Sequence, residues 1–497
     1  MFSGLDHHLR ELADLLYEHN DILCTHPNDL DLSVLPPSWA VPWRQLLEYY
    51  VTGSANSDKL PDDLKRLVDA IRALQLPRRP MTIPEENLVA LHSTKGMSPK
   101  KLHEVKRMAS YIKALVEDNG DDHLHIVDVG AGQGYLTRAL AHALPSAKIL
   151  ALDADEGQTT GAELKLGNQK RLHKEPNALS GQITHRTALI TPLSLLEVVD
   201  DWIKGEQADG PVPVLFVALH SCGSLTPDIL KAFVDCRSRD SSLTRWRPCG
   251  VVVVGCCYNL MYPGGLFTRP LPLSAYHLAA QIPETWLEPL AEVAVSDWNL
   301  QPSIELATRK VAWRALLAYT LNSPDAQILQ QAVEEEQPKG KKSADVPVKW
   351  WLDAQPSESL QPDQIKGVGQ TAAAMRLGKI PDSAYTQGWE HFLRVSGKKI
   401  GLVWNAESSL FPARDKDLER RIEVLHVLRC LVGPAVESAI VLDRLAWLKG
   451  QLRGGDNKPV FQAELINLFD QRTGSGRNIG ICVATSLPSF RSGEEQQ

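Results

Sequence analysis

The sequence predicts an α/β protein built on a doubly wound sheet. Five β-rich runs, HIVDVG, KILALDAD, ITHRTALI, VPVLFVALH and CGVVVVGCCY, are separated by stretches long enough for parallel crossovers. A glycine-rich turn follows the first run and opens directly into a helix pattern, YLTRALAHAL. The fifth run contains Val251 to Val254 in unbroken succession, the signature of a strand buried on both faces.

Taken in order, residues 1–82 alternate helical periodicity with proline-rich turns, as in LRELADLLYEH, PPSWAVPWRQLLEYYV and PDDLKRLVDAIRAL. This is a helical N-terminal region whose Trp39, Trp43 and Tyr49 belong to its core. LPRRPMTIP forms a hinge into the α/β core, assigned to 83–312. A helical insertion over 313–435 follows, with a flexible segment at about 333–347 where VEEEQPKGKKSADVP lacks apolar residues. The chain returns to the core over 436–490 with a last helix and two β-rich runs, VFQAELINLF and NIGICVATSL. DQRTGSGR joins these runs as a terminal antiparallel hairpin. No internal repeat is present.

The 497 residues carry 53 Lys plus Arg against 60 Asp plus Glu, a net charge of −7. No overall basic field marks a nucleic-acid or membrane partner, so either would be met by a local patch. There is no run of about 18 apolar residues, and MFSGLDHHLRELADLL lacks the basic and apolar regions of a secretory signal. The expectation is an intracellular protein of the cytoplasm or nucleus, not secreted and without a membrane partner. KGKK at 339–342 is too short to decide nuclear import, and oligomeric state stays open. Eight cysteines are too sparse for a disulfide framework, so reduced thiols are expected.

The strongest local chemistry lies in Asp128-Val129-Gly130-Ala131-Gly132-Gln133-Gly134. Alternating glycines let the backbone turn tightly and approach a ligand without Cβ clashes, at the start of a helix. A dinucleotide fingerprint reads G-x-G-x-x-G, whereas here an acid precedes the first glycine by two in acid-x-G-x-G-x-G. That spacing favours S-adenosylmethionine over NAD. Asp128 would bind the methionine ammonium and Gly130, Ala131, Gly132 and Gly134 would cradle the ligand. Asp153, 25 residues after Asp128 at the end of the second run, would accept both ribose hydroxyls, with Asp155 in reserve.

VDVGAGQGYLTRALA with LALDAD resembles the cofactor motifs of class I S-adenosylmethionine-dependent methyltransferases, which implies a Rossmann-like sheet. More narrowly, GMSPKKLHEVKRM, ALHSCGSLT, GCCYN, ESAIVLDRLAWL and FDQRTGSGRN resemble the methyltransferase-like protein 25 family, also described as ribosomal RNA adenine dimethylase domain-containing. The resemblance spans about residues 5 to 485. Ser475-Gly476-Arg477-Asn478 departs from the family's Ser-Pro-Arg-Asn. HSCG and GCCYN also resemble, locally, segments of a transfer-RNA 2′-O-methyltransferase family. An adenine N6 methyltransferase would show Asp or Asn followed by Pro-Pro and an aromatic residue after strand four, and HSCG does not fit that pattern.

Ligands of open α/β sheets lie outside the carboxyl ends of the strands, so His220 and Cys222 after strand four, and Cys257, Tyr258 and Asn259 after strand five, should face the transferred methyl. His220 is the candidate base, with Tyr258 and Asn259 orienting the acceptor. Cys222 and Cys257 are assigned to the acceptor side. No metal is expected: Cys-x-x-Cys and His-x-x-x-His spacings are lacking, and adjacent Cys256 and Cys257 are poorly placed to ligate one ion. Lys95 to Lys113 carries six cations against Glu104 alone. Lys100, Lys101 and His103 on this helix would contact substrate, and its charge suits RNA. The leading expectation is therefore a methyltransferase acting on ribosomal or transfer RNA. Two rivals are a protein methyltransferase acting on a basic ribosomal or translation protein, and a non-catalytic cofactor-binding module.

Overall fold

The computed structural model describes residues 2–24, 26–27, 35–53, 60–120, 123–172, 182–206, 210–238, 245–262, 271, 273–289, 298–321, 377–400, 413–453 and 460–488. The expected flexible segment at 333–347 and its KGKK run lie outside the described residues.

The chain forms two compact units, the first of residues 1–13, 75–271 and 434–497, the second of 14–74 and 272–433. The division differs from the one expected at 82, 312 and 435. Residues 14–74 and the insertion up to 433 fall in one unit, 272–312 joins them rather than the α/β core, and residues 1–13 fall in the unit of the core. Helical periodicity shows that a segment has an apolar face, but the partner of that face is a long-range choice.

The first unit is built on a seven-stranded sheet: β1 (His125–Val129), β2 (Lys148–Asp153), β3 (Ile183–Thr187), β4 (Val212–Cys222), β5 (Trp246–Cys256), β8 (Gln462–Asn467) and β9 (Ile479–Ala484). Its order is β3-β2-β1-β4-β5-β9-β8. Strands β1 to β5 are parallel to their neighbours, while β9 runs antiparallel to both β5 and β8. This is the expected doubly wound, Rossmann-like α/β sheet, closed by the expected terminal hairpin. Strand order reverses between β1 and β4, the position at which such sheets open a ligand crevice.

The four valines of β5 alternate between two cores. Val252 and Val254 pack in one with Ile126, Ile149 and Val217, and Val251 and Val253 in the other with Val127, Leu150 and Phe216. All four are fully buried, each contributing about 1.5–3 kcal/mol of apolar transfer free energy.

Helix α5 (Pro99–Asn119) covers the first face through Met108, Tyr111 and Ile112. Its ends are legible in sequence: the Ser98 hydroxyl accepts from Lys101 N at 3.2 Å, Pro99 starts the first turn, and Gly120 ends the helix in the left-handed region at φ 62°. Helices α8 (Pro192–Ile203) and α9 (Leu225–Ser238) cover the opposite face through Leu195, Val199, Ile229 and Phe233.

In the second unit α3 (Trp43–Thr52) and α4 (Asp62–Leu74) keep Trp43, Tyr49, Leu64 and Ile71 buried, and Trp39 is buried beside them, as expected. Trp39 Nε1 donates to Asp63 Oδ2 at 2.8 Å. A small antiparallel pair, β6 (Leu287–Pro289) and β7 (Trp298–Leu300), was not anticipated. Trp313, Trp389 and Phe392 form an aromatic cluster, and Trp313 Nε1 donates to Glu419 Oε1 at 2.7 Å. Among the described residues one helix, α14 (Lys416–Gln451), is long and apolar enough to cross a membrane, and 94% of its most apolar window is buried inside the protein.

Candidate active site

The turn after β1 is held by the end of β2. Gly130 N and Ala131 N both donate to Leu152 O, at 2.8 and 2.9 Å, and Gly132 N donates to Asp153 Oδ2 at 2.8 Å. Asp153 Oδ1 accepts from Asp155 N at 2.9 Å. These loop amides are thus consumed by strand β2, and Asp153 fixes the loop's shape as well as lying at its rim. Gly130, Gly132 and Gly134 all have positive φ, at 73°, 54° and 67°. At Gly132 a Cβ would meet nothing within 4 Å, so it would project into the open crevice. The loop therefore leaves an empty cradle.

That crevice is a cavity of about 250 Å³ bordered by Asp128, Gly130, Ala131, Gly132 and, from across it, Lys101 and His220. Asp128 is buried and accepts from Thr137 Oγ1 at 2.6 Å. Burial pushes its carboxyl up to about 6, the Thr137 bond opposes this, and the neighbouring Asp153 charge adds to it. Among the described residues no cation pairs with this acid, and a ligand ammonium would supply one.

His220 ends the straight part of β4, where pairing with β5 slips between Leu219 and Ser221. Its φ is 67°, a left-handed conformation rare outside glycine. Its Nε2 lies 2.9 Å from Glu104 Oε2, and Lys101 Nζ lies 3.1 Å from the same oxygen. Glu104 is wholly buried. Burial would raise its carboxyl, but the hydrogen bond and charge of His220, the charge of Lys101 and a hydrogen bond from Ser475 hold it at about 2. The ionised carboxylate accepts a hydrogen bond from Nε2–H, which in the neutral ring leaves Nδ1 as the acceptor. Glu104 was not singled out in sequence as a site residue. Its signal was present, as the lone acid in a run of six cations.

The other expected site residues part company. Tyr258 is fully buried, its hydroxyl donating to Glu437 Oε1 at 3.0 Å with the Arg444 and Arg477 guanidinium groups over its ring. Burial and the Glu437 charge raise its phenol. In this arrangement it presents nothing to an acceptor, because the β5 turn points the ring into the core. Asn259 is exposed in the short turn Tyr258–Leu260.

On α5, Lys100 is exposed, 4.0 Å from Glu104 Oε1. His103 does not face the crevice: its Nε2 accepts from Asp470 N at 3.1 Å, and burial lowers its pKa. Arg107 is equally internal, donating to Leu468 O and Met81 O.

Cys222 and Cys256 are register partners at the ends of β4 and β5. Their sulfurs lie 3.3 Å apart, and Cys257 Sγ is 3.6 Å from Cys222 Sγ. Adjacent Cys256 and Cys257 do turn toward one point, contrary to expectation, because Cys257 takes a left-handed φ of 48° that reverses the chain direction. Hydrogen bonding from Cys256, offset by burial and aided by Cys257, draws the Cys222 thiol down to about 6, while Cys256 and Cys257 are raised.

Residues 100–264 match a family model described as a methyltransferase domain, Methyltransf_32. Among solved structures, a S-adenosylmethionine-dependent methyltransferase from Clostridium acetobutylicum is 15% identical, over 30% of this chain and 49% of that one, with a TM-score of 0.19. Mitomycin 7-O-methyltransferase MmcR is 14% identical over 48% and 57%, TM-score 0.20. The plantazolicin methyltransferase BpumL, solved with SAH, is 12% identical over 43% and 58%, TM-score 0.19. The chain thus spans between 49% and 58% of the length of these proteins. The matched methyltransferase domain falls entirely within the first unit and contains the crevice.

Proposed function

We propose that the chain is an S-adenosylmethionine-dependent methyltransferase whose acceptor is RNA. The observation that carries the cofactor reading is the empty cradle at Gly132, with Asp128 lining the crevice and Asp153 bonded to the Gly132 amide, in a matched methyltransferase domain. The donor set fits the group: Asp128 would hold the α-ammonium, and Asp153 would accept from the ribose hydroxyls while keeping its bond to Gly132 N. When bound, S-adenosylmethionine supplies an electrophilic methyl group whose leaving sulfide needs no proton.

The protein's own part is then to place the acceptor and remove its proton. His220 Nδ1 takes that proton, while Glu104 orients the ring through Nε2 and stabilises the imidazolium. Glu104 is a positioning residue. Exposed Lys100, with Lys101 on the crevice rim, supports an anionic acceptor, and Asn259 supplies an exposed amide on the β5 side. A protein acceptor is the alternative outcome of the test.

The test incubates an extract from cells lacking the protein with purified enzyme and methyl-tritiated S-adenosylmethionine, followed by nuclease or protease. Label lost only to nuclease is expected. Label lost only to protease would reassign the acceptor to protein. A thermal shift with S-adenosylhomocysteine but no transfer to any fraction would leave a binding module.

A further inference from the structure

Beyond the loop, the ends of β4 and β5 carry a second cluster of reactive groups, the thiols of Cys222, Cys256 and Cys257. All three sulfurs lie within 4.8 Å of one another. At a zinc–sulfur distance of about 2.3 Å, the edge of a tetrahedral thiolate site is about 3.8 Å. The 3.3 and 3.6 Å separations here are close to that edge before any ion draws the sulfurs into place. Three features hold the set together. Parallel pairing puts Cys222 opposite Cys256, Gly223 N donates to Cys256 O at 3.0 Å, and a Cβ at Gly223 would strike Leu260 O at 2.7 Å, so the two turns are pressed together. The left-handed Cys257 backbone then adds the third sulfur, at a conformational cost of about 1–2 kcal/mol. Such strain is retained where the surrounding structure requires it.

We propose that Cys222, Cys256 and Cys257 form a binding site for one thiophilic d10 cation, zinc, with a fourth position open to an exchangeable ligand. The ligand set is soft, as zinc prefers over magnesium or calcium. Cys256 is buried, Cys257 half-buried and Cys222 exposed, so the site is anchored in the sheet and reached from solvent on the Cys222 side. Three thiolates on a divalent ion carry a surplus negative charge, and Arg477, whose charge acts on Cys257, offsets it. The ion would clamp the turn after β5 to the end of β4, whose His220 lines the crevice. The site stands on thiol geometry alone, so it survives or fails independently of the methyl-transfer reading.

The test uses the full chain, reduced with a phosphine, stripped with a chelator and titrated anaerobically with Co²⁺. The expected result is one equivalent bound with a thiolate-to-cobalt charge-transfer band, displaced by one equivalent of Zn²⁺. Cys222→Ser and Cys257→Ser should each weaken Co²⁺ binding by at least about a hundredfold, whereas Cys249→Ser should leave it unchanged. Circular dichroism and a cooperative melt confirm that each variant is folded. Three results would overturn the site: no stoichiometric band in folded, fully reduced protein; a band that survives both cluster variants; or, on gentle oxidation of protein that takes up no metal, a Cys222–Cys256 disulfide as the cluster's product.

Discussion

His220 Nε2 and Glu104 Oε2 meet at 2.9 Å although 116 residues separate them in the chain. One stands on the helix that covers the sheet and the other at the end of its central strand β4, so their contact joins α5 to the edge of the crevice. The carboxylate is buried and Lys101 shares it, which fixes the orientation of the imidazole.

A double-mutant cycle of Glu104→Gln and His220→Ala should return a coupling of about 1.5–3 kcal/mol in chemical denaturation, the range for hydrogen bonds to charged groups. A coupling near zero would dissolve the pair. Because the folded-state pKa of Glu104 is depressed, its contribution is complete above the ordinary value of 4.5 and is lost as pH falls toward about 2. Wild type should therefore lose stability more steeply than Glu104→Gln across that window.

Asp128 works in the opposite sense. Its pKa is raised from 3.8 to about 6, so its contribution to stability is present below 3.8 and lost as pH rises through about 6. Asp128→Asn should stabilise the unliganded protein at pH 7 by about 2–3 kcal/mol. The same variant should weaken S-adenosylhomocysteine binding about tenfold to a hundredfold. Calorimetric titrations should also show wild-type affinity rising between pH 5 and pH 7, with the rise absent in the variant. An affinity flat across that interval in wild type would remove Asp128 from the ammonium site.

Gly132→Val places a branched side chain at φ 54°, in space the loop leaves empty. The expected cost in stability is about 1–2 kcal/mol. Binding of S-adenosylhomocysteine should vanish from a thermal-shift assay while the melt stays cooperative. Undiminished binding would mean that the ligand does not approach this part of the loop.

Tyr258→Phe separates a core role from an acceptor-orienting one. The buried hydroxyl donates to Glu437, so its loss should cost about 1–3 kcal/mol in stability. Transfer to RNA, measured well below the variant's melting temperature, should keep wild-type kcat. A large fall in kcat with unchanged stability would return Tyr258 to the acceptor.

Much of the fold was legible because it is written in short-range patterns. Five apolar runs, one glycine turn and an acid 25 residues further on were enough to locate β1 to β5, the cradle, the crevice carboxylate Asp128 and the loop-holding carboxylate Asp153. These features depend on residues near one another in the chain, where periodicity and backbone requirements act directly. Tertiary structure decided what depends on distant partners. It sent His103 to the turn at Asp470 and Tyr258 to Glu437, where the sequence suggested that both would face substrate. It brought Glu104 to His220, and it turned adjacent Cys256 and Cys257 to the same side through one left-handed residue. It also set the boundary between the two units, since helices with equivalent apolar faces are sorted only by the surfaces they meet. Sequence by itself determined the sheet and its crevice. The side-chain pairs that give the crevice its chemistry arose from packing, because burial and charge pairing are properties of neighbours that chain order does not name.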